Sequence, residues 1–358
     1  MYLDELDTPA LWADLDVVER NLQRMGSYCR EHGLALRPHI KTHKVPQLAW
    51  RQIESGAVGI TAAKVTEAQV MAEAGLEDIL IAYPLWGETK WKNLAALAGR
   101  ATVGVATDSV EHAEALAEGL GPQRKEISLL VEVDVGTGRT GLPIDDTLPA
   151  AVARIAETGI PVRGLMVYPG HLKEPDDKSL AELSARIGRA RRYFEQAGVT
   201  VETVSGGSTP TAFYSHRIEE VNEIRPGTYI YNDCNYVRLG AARWEDCALH
   251  VRCRVVSVSV PGRAIIDGGS KSFSDAASIA GRGFGRLVQC PEVLCEKMNE
   301  EHGYLALGDS PWRPRAGELV DVIPNHACTA VNMHHVIHLV RGDQVVEALP
   351  IPAQGKIH

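Results

Sequence analysis

Three short apolar runs, DILIAYP (78–84), TVGVAT (102–107) and LLVEVDVG (129–136), decide how this chain folds. Each is rich in branched residues, stops at a turn-forming residue, and is separated from the next by a helix-length amphipathic stretch. Strands that alternate with helices pair in parallel, through crossover connections. The same unit recurs on both sides. ALWADLD (10–16), ALRPHIK (35–41) and GITAAK (59–64) come before, and GLMVYPG (164–170) and TVSGGS (203–208) come after. Helix-like stretches such as VVERNLQRMGSYCREHG (17–33) and SLAELSARIGRARRYFEQAG (179–198) lie between them. Eight βα units are the number that closes a (β/α)8 barrel. A doubly wound sheet is the rival, but the GxGxxG turn it would place after the first strand is absent.

Beyond about residue 235 the texture changes. ALHVRCRVVSVSV (248–260), RAIIDGGS (263–270), ELVDVIPNHACTAV (318–331) and VIHLVRGDQVVEALPI (336–351) are β-branched and lack long intervening helices. One piece, CPEVLCEKMNEEHG (290–303), reads as a helix. The expected fold class is therefore α/β: a (β/α)8 barrel over 8–238, and an all-β domain over 239–358 joined by residues 1–7.

Composition bounds the function. The chain has 358 residues, with 37 basic against 46 acidic side chains and a net charge of −9. Nucleic-acid binding needs a clustered basic excess, which is missing, so no nucleic-acid partner is expected. No apolar run approaches the ~20 residues that span a bilayer, so no membrane partner is expected either. The start, MYLDELDTP, has no secretory apolar region. Seven cysteines, an odd number without any CxxC, fit reduced thiols in a cytoplasm better than a disulfide scaffold.

Several segments carry ionisable groups where a barrel should be apolar. Arg37, His39 and Lys41 alternate with Leu36, Pro38 and Ile40, so a strand would put all three on one face. Barrel active sites lie at the carboxyl ends of strands, and a lysine crowded by a second cation there is suited to Schiff-base chemistry. The alternative is an exposed loop lysine. Glu132 and Asp134 share a face in the same way, followed by Gly136-Thr137-Gly138-Arg139. Arg139 suits an anionic oxygen on a cofactor, or else a neighbouring carboxylate. Gly206-Gly207-Ser208-Thr209 and Arg225-Pro226-Gly227-Thr228 offer free amides and hydroxyls of the kind that cradle phosphate, or else plain turns. His326 and Cys328 would point the same way on a strand and could hold zinc in an open site; the alternative is a buried thiol beside a capping histidine. His334, His335 and His338 share no clear geometry and read as surface or interface.

Five strings in order, RPHIKTHK (37–44), EVDVGTGRTGL (132–142), SGGSTP (205–210), RPGTYIYND (225–233) and PNHACT (324–329), resemble the D-threonine aldolase and D-serine dehydratase family, which shares its barrel with alanine racemase. The resemblance runs nearly end to end. It implies that Lys41 carries pyridoxal 5'-phosphate, with His39 and Tyr168 near the cofactor and Arg139 against its phenolic oxygen. Gly206, Gly207, Ser208, Gly227 and Thr228 match the phosphate loops, and Arg225 matches the residue facing the pyridine nitrogen in racemases. His326 and Cys328 match the divalent-metal pair of the lyases, zinc first, with manganese or magnesium as alternatives. The implied substrate is a β-hydroxy-D-amino acid, and the implied assembly a homodimer. His-x-Cys and the KTHK string favour elimination of the D-serine or D-threo-3-hydroxyaspartate type. His171, three residues past Tyr168, is a candidate base for the alternative, retro-aldol cleavage. A racemase or a non-catalytic carrier has no need of the metal pair.

Overall fold

The computed structural model describes residues 1–279, 281 and 283–358. The chain divides into two compact units. One comprises Arg24–Lys41, Pro46–Gly227 and Lys356–His358, and the other Met1–Gln23, Thr42–Val45 and Thr228–Gly355.

The first unit is an eight-stranded parallel sheet whose neighbours run Ala35–Leu36, Glu223–Ile224, Thr203–Gly206, Val162–Met166, Ile127–Glu132, Thr102–Thr107, Asp78–Ile81 and Ile60–Ala62. Its two ends meet. Val58 N–H donates to the Leu36 carbonyl at 2.9 Å and Thr61 N–H to the Pro38 carbonyl at 2.8 Å, beside a parallel bridge between His39 and Thr61. Residues on both faces are buried, as parallel strands under helices require. Ile79, Ile81, Val103, Val105, Leu129 and Val131 fill one face, and Leu80, Ala106, Leu130 and Met166 pack together on the other.

Two details differ from the sequence reading. ALWADLD does not join this sheet. Its strand, Ala10–Asp14, pairs antiparallel with Leu249–Ser257 and parallel with Val336–Arg341. Ala10 buries its side chain with Leu3, Leu6 and Val340, and Asp14 accepts a hydrogen bond from Val17 N–H at the start of the Leu15–Glu31 helix. The eighth barrel strand is instead Glu223–Ile224, two residues that are too few to show a period.

The second unit carries a nine-stranded mixed sheet. A seven-strand path runs Leu294–Met298, Gly303–Ala306, Arg263–Ile266, Leu249–Ser257, Ala10–Asp14, Val336–Arg341 and Gln344–Pro350. Leu319–Ile323 pairs with both Leu249–Ser257 and Arg286–Leu287. The expected helix over 290–303 is a strand, Leu294–Met298, paired antiparallel with Gly303–Ala306. That pairing buries Cys295 beside Leu305, and tertiary contact overrides the helical propensity of the Glu- and Lys-rich stretch. All seven cysteines are free thiols, and six are buried. Among the described residues no helix is long and apolar enough to cross a membrane.

Gly164 marks a register shift where Val162–Met166 joins Ile127–Glu132. A Cβ there would lie 2.0 Å from the Thr203 carbonyl oxygen, a backbone atom of the next strand. Gly164→Ala should therefore cost about 1–3 kcal/mol, as overpacking does. The check is a denaturant midpoint well below that of the parent, with an unchanged slope.

Candidate functional site

The charged residues of the barrel form two groups. Strand geometry ends at Leu36, because Pro38 lacks an N–H and residues Ile40–Thr42 turn into a 3-10 helix. Arg37, His39 and Lys41 are thus not three steps along one strand. The guanidinium of Arg37 lies 2.8 Å from Glu223 and, through two nitrogens, 2.6 and 3.2 Å from Asp78. Burial opposes its charge, but the two carboxylates outweigh this and raise its pKa. Its guanidinium is thus engaged by the two carboxylates. Lys41 is exposed, and its backbone N–H faces His39 Nδ1 at 3.5 Å.

The second group follows the Ile127–Glu132 strand. Glu132 is buried and accepts from the Thr140 hydroxyl at 2.9 Å. Burial raises its pKa, opposed by Thr140, Arg139 and Arg225. Asp134 does not share its face. The strand stops at Glu132, and Asp134 turns to accept from the backbone N–H groups of Gly136, Thr137 and Gly138 at 2.8–3.2 Å. Slight burial pulls the Asp134 pKa up, and these three donors outweigh it, so the carboxylate sits below its ordinary range. Of the two readings of Arg139, the neighbouring-carboxylate one is met in part. Arg139 lies 3.7 Å from Glu132, and its guanidinium stacks 4.4 Å over the Tyr168 ring while staying half-exposed. The Tyr168 carbonyl accepts from the Thr137 hydroxyl at 2.7 Å, which ties the two loops together. His171 is exposed, with Nδ1 3.5 Å from the same hydroxyl.

The glycine loops are more than turns. Gly207 has φ +82°, and a Cβ there would press on Ile224 at 3.1 Å, so the loop lies tight against its neighbour. Gly206, Gly207, Ser208, Thr209 and Gly227 are buried. Among the described residues the N–H groups of Gly207, Thr209 and Gly227 find no acceptor within the chain. Buried backbone N–H groups are paired in nearly every native protein, so three together call for an acceptor from outside the chain. A phosphate offers three strong acceptor oxygens, and the cradle fits it. Arg225, also buried, donates to Ser205 Oγ at 2.6 Å and to the Val167 carbonyl at 2.9 Å.

In the second unit, His326 and Cys328 are not on a strand. The strand ends at Ile323, His326 caps the short Ala327–Val331 helix, and Cys328 lies within that helix. Their side chains hydrogen-bond each other, and His326 is held by Asp233, which the sequence reading missed. Asp233 is fully buried, and one oxygen accepts from Tyr236 N–H at 3.0 Å to cap the Cys234–Arg238 helix. The other oxygen takes His326 Nδ1 at 3.1 Å and Ala327 N–H at 3.0 Å. Burial works against protonation of His326, while hydrogen bonds to Asp233 and Cys328 outweigh it and push its pKa up to about 10. Asn325 holds the approach. Its amide donates to the Ala276 and Gly283 carbonyls, and its oxygen accepts from Arg238 and Gly285. The Cys328 sulfur lies 3.3 Å from the Thr42 hydroxyl and 3.8 Å from that of Thr228. A histidine oriented by a carboxylate, next to a thiol, is a donor set that suits a borderline divalent metal. Among the described residues no cluster of three or more His, Cys, Asp or Glu forms, so two protein donors are offered. The helix-start Asp before Cys234 was the available sequence signal for Asp233.

Comparison with known proteins agrees with this arrangement. The profile "Alanine racemase, N-terminal domain" matches residues 13–234, and that of a "Putative serine dehydratase domain" matches residues 248–340. D-threonine aldolase of Arthrobacter sp. is 32% identical over 99% of this chain and 94% of its own length. The crystal structure of D-threonine aldolase from Filomicrobium marinum aligns with a TM-score of 0.92 at 33% identity, covering 99% of this chain and 98% of the other. A cysteine-to-alanine variant of a D-threo-3-hydroxyaspartate dehydratase, in the metal-free form, aligns with a TM-score of 0.90 at 30% identity, covering 98% of each chain. The class is thus an alanine racemase-like barrel joined to a serine dehydratase-type domain. The chain belongs to the D-threonine aldolase and D-serine dehydratase family, and is an enzyme of the lyase kind.

Replacing Asp233 by Asn keeps its size but removes the charge that orients His326. Loss of such an outer partner lowers metal affinity about 10–100-fold. Titration of the purified variant with zinc, followed by calorimetry, should give that weakening while circular dichroism stays unchanged.

Proposed function

We propose that the chain is a lyase dependent on pyridoxal 5'-phosphate and a divalent metal, zinc first, that eliminates water from β-hydroxy-D-amino acids of the D-serine or D-threo-3-hydroxyaspartate kind to give a keto acid and ammonia. The observation that carries the reading is the set of three buried, unpartnered amides at Gly207, Thr209 and Gly227. Together with the hydroxyls of Ser208 and Thr228 they are the phosphate cradle. Lys41 is the residue that binds the cofactor aldehyde, and its Nζ then takes the α-proton of the substrate. Arg139, held over Tyr168, would bind the cofactor's phenolic oxygen, with His39 and Arg225 as further cofactor-binding residues. When bound, pyridoxal phosphate supplies an electron sink for the bonds at Cα. His326 and Cys328 would hold the metal, which supplies a Lewis acid for the β-hydroxyl.

Retro-aldol cleavage to glycine and an aldehyde is the second reading. It is supported by His171, an exposed imidazole on the loop that follows Val162–Met166, able to take the β-hydroxyl proton. We further propose a homodimer, by analogy with the family, and a cytoplasmic location, which seven cysteines outside any disulfide support.

Loaded with pyridoxal phosphate, the protein should absorb in the near-visible, and Lys41→Ala should lose that band together with about 100- to 10,000-fold of its activity. Retention of the band in Lys41→Ala contradicts the assignment. Incubation with D-serine, D-threonine and D-threo-3-hydroxyaspartate should yield keto acid and ammonia, and a chelator should abolish this while leaving the cofactor bound. Glycine plus an aldehyde as products would establish the retro-aldol reading, and full activity in chelator would exclude the metal.

A further inference from the structure

Two buried arginines sit in this barrel, and their surroundings differ. Arg37 gives three of its five N–H donors to carboxylates, two to Asp78 and one to Glu223. Arg225, only 7% exposed, touches no carboxylate. Its partners are a hydroxyl and a carbonyl, Ser205 Oγ at 2.6 Å and Val167 O at 2.9 Å. Burial works against its charge, and Glu223 and Glu132 favour it from a distance, opposed by Arg139 and Arg37. The Ser205 hydroxyl has one proton, and it is directed at Glu223 Oε1 at 2.5 Å. Ser205 therefore accepts from Arg225 and donates to Glu223, in one direction only. The other oxygen of Glu223 is held by Arg37 at 2.8 Å, and Arg37 is anchored by Asp78. Arg225, Ser205, Glu223, Arg37 and Asp78 form one relay of alternating charge.

An interposed hydroxyl does what a direct carboxylate could not. A carboxylate would take the guanidinium fork bidentately and cancel its charge at close range. Ser205 takes one N–H and passes the carboxylate's influence on at a remove, so Arg225 stays cationic with three donors uncommitted. On the cofactor reading above, on which this inference rests, one of those donors would meet the ring nitrogen. We propose that Ser205 and Glu223 are positioning residues that hold the Arg225 guanidinium in a single orientation, keeping the ring nitrogen of pyridoxal phosphate as an unprotonated acceptor.

The test compares wild-type and Ser205→Ala holoenzymes by their pH-dependent absorption and their kinetics. Both should bind one cofactor per chain. In Ser205→Ala a guanidinium less firmly held no longer denies the ring nitrogen a proton; a protonated ring withdraws electrons from the imine, so the pH midpoint of the visible band should fall by about one unit, a tenfold change in proton affinity. The kcat should fall about tenfold with KM within about twofold, the pattern of an interaction made in the transition state. If Ser205→Ala fails to fold, Glu223→Gln, which keeps volume and an acceptor for Arg37, carries the same comparison. A variant that folds and loads yet shows the wild-type midpoint and kcat overturns the relay alone. A wild-type protein that forms no band overturns the cofactor reading beneath it.

Discussion

A parallel sheet closed on itself shuts water out of its interior, so every charge that its strands carry inward must be met inside. This chain carries several. Arg37, Glu132, Glu223 and Arg225 are all largely buried, and an isolated charge there would cost several kcal/mol. The pattern of compensation sorts them. Arg37 is neutralised by Asp78 and Glu223, and these contacts tie the end of one strand to the starts of two others that are distant in sequence. Glu132 is engaged by Thr140 and Arg139. Among the described residues, Arg225 is met by neutral acceptors, and the amides of Gly207, Thr209 and Gly227 by none. Incomplete compensation is concentrated where an anionic cofactor would complete it.

The second unit follows the same logic with fewer residues. Asp233 is wholly buried, and its two oxygens serve a helix start, a second helix start and an imidazole. Such a carboxylate fixes which ring nitrogen of His326 points away from it, and so presents the other beside Cys328. Asn325, just before His326, is bonded to Ala276, Gly283 and Gly285 and accepts a fourth hydrogen bond from Arg238. The two candidate donors are thus set by the neighbours that hold them. This separation of holding from acting recurs in the barrel, where Asp134 folds the Gly136–Gly138 loop while Arg139 faces Tyr168.

Much of this was legible in the sequence, and the misreadings have physical causes. The barrel was readable because strands such as Asp78–Ile81 and Thr102–Thr107 are apolar on both faces and evenly spaced. ALWADLD has the same local texture, yet its partners are Leu249–Ser257 and Val336–Arg341, more than 200 residues away, and no local pattern encodes that choice. Lys41, the glycine loops and the His326–Cys328 pair were found by residue type and spacing. The conformation assumed for two of them was wrong: Lys41 follows a strand that Pro38 ends, and Cys328 lies on a helix started by Asp233. Asp233 and Ser205 went unnoticed because their roles exist only through contacts with residues far along the chain.

The central claim is that Lys41 holds pyridoxal phosphate in this barrel. Loading the protein with the cofactor, reducing it with borohydride and mapping the modified peptide by mass spectrometry tests this most directly, since reduction makes the imine a permanent bond. The account predicts one pyridoxyl group per chain, on the peptide containing Lys41. A group on another lysine such as Lys44, or none at all, would contradict it.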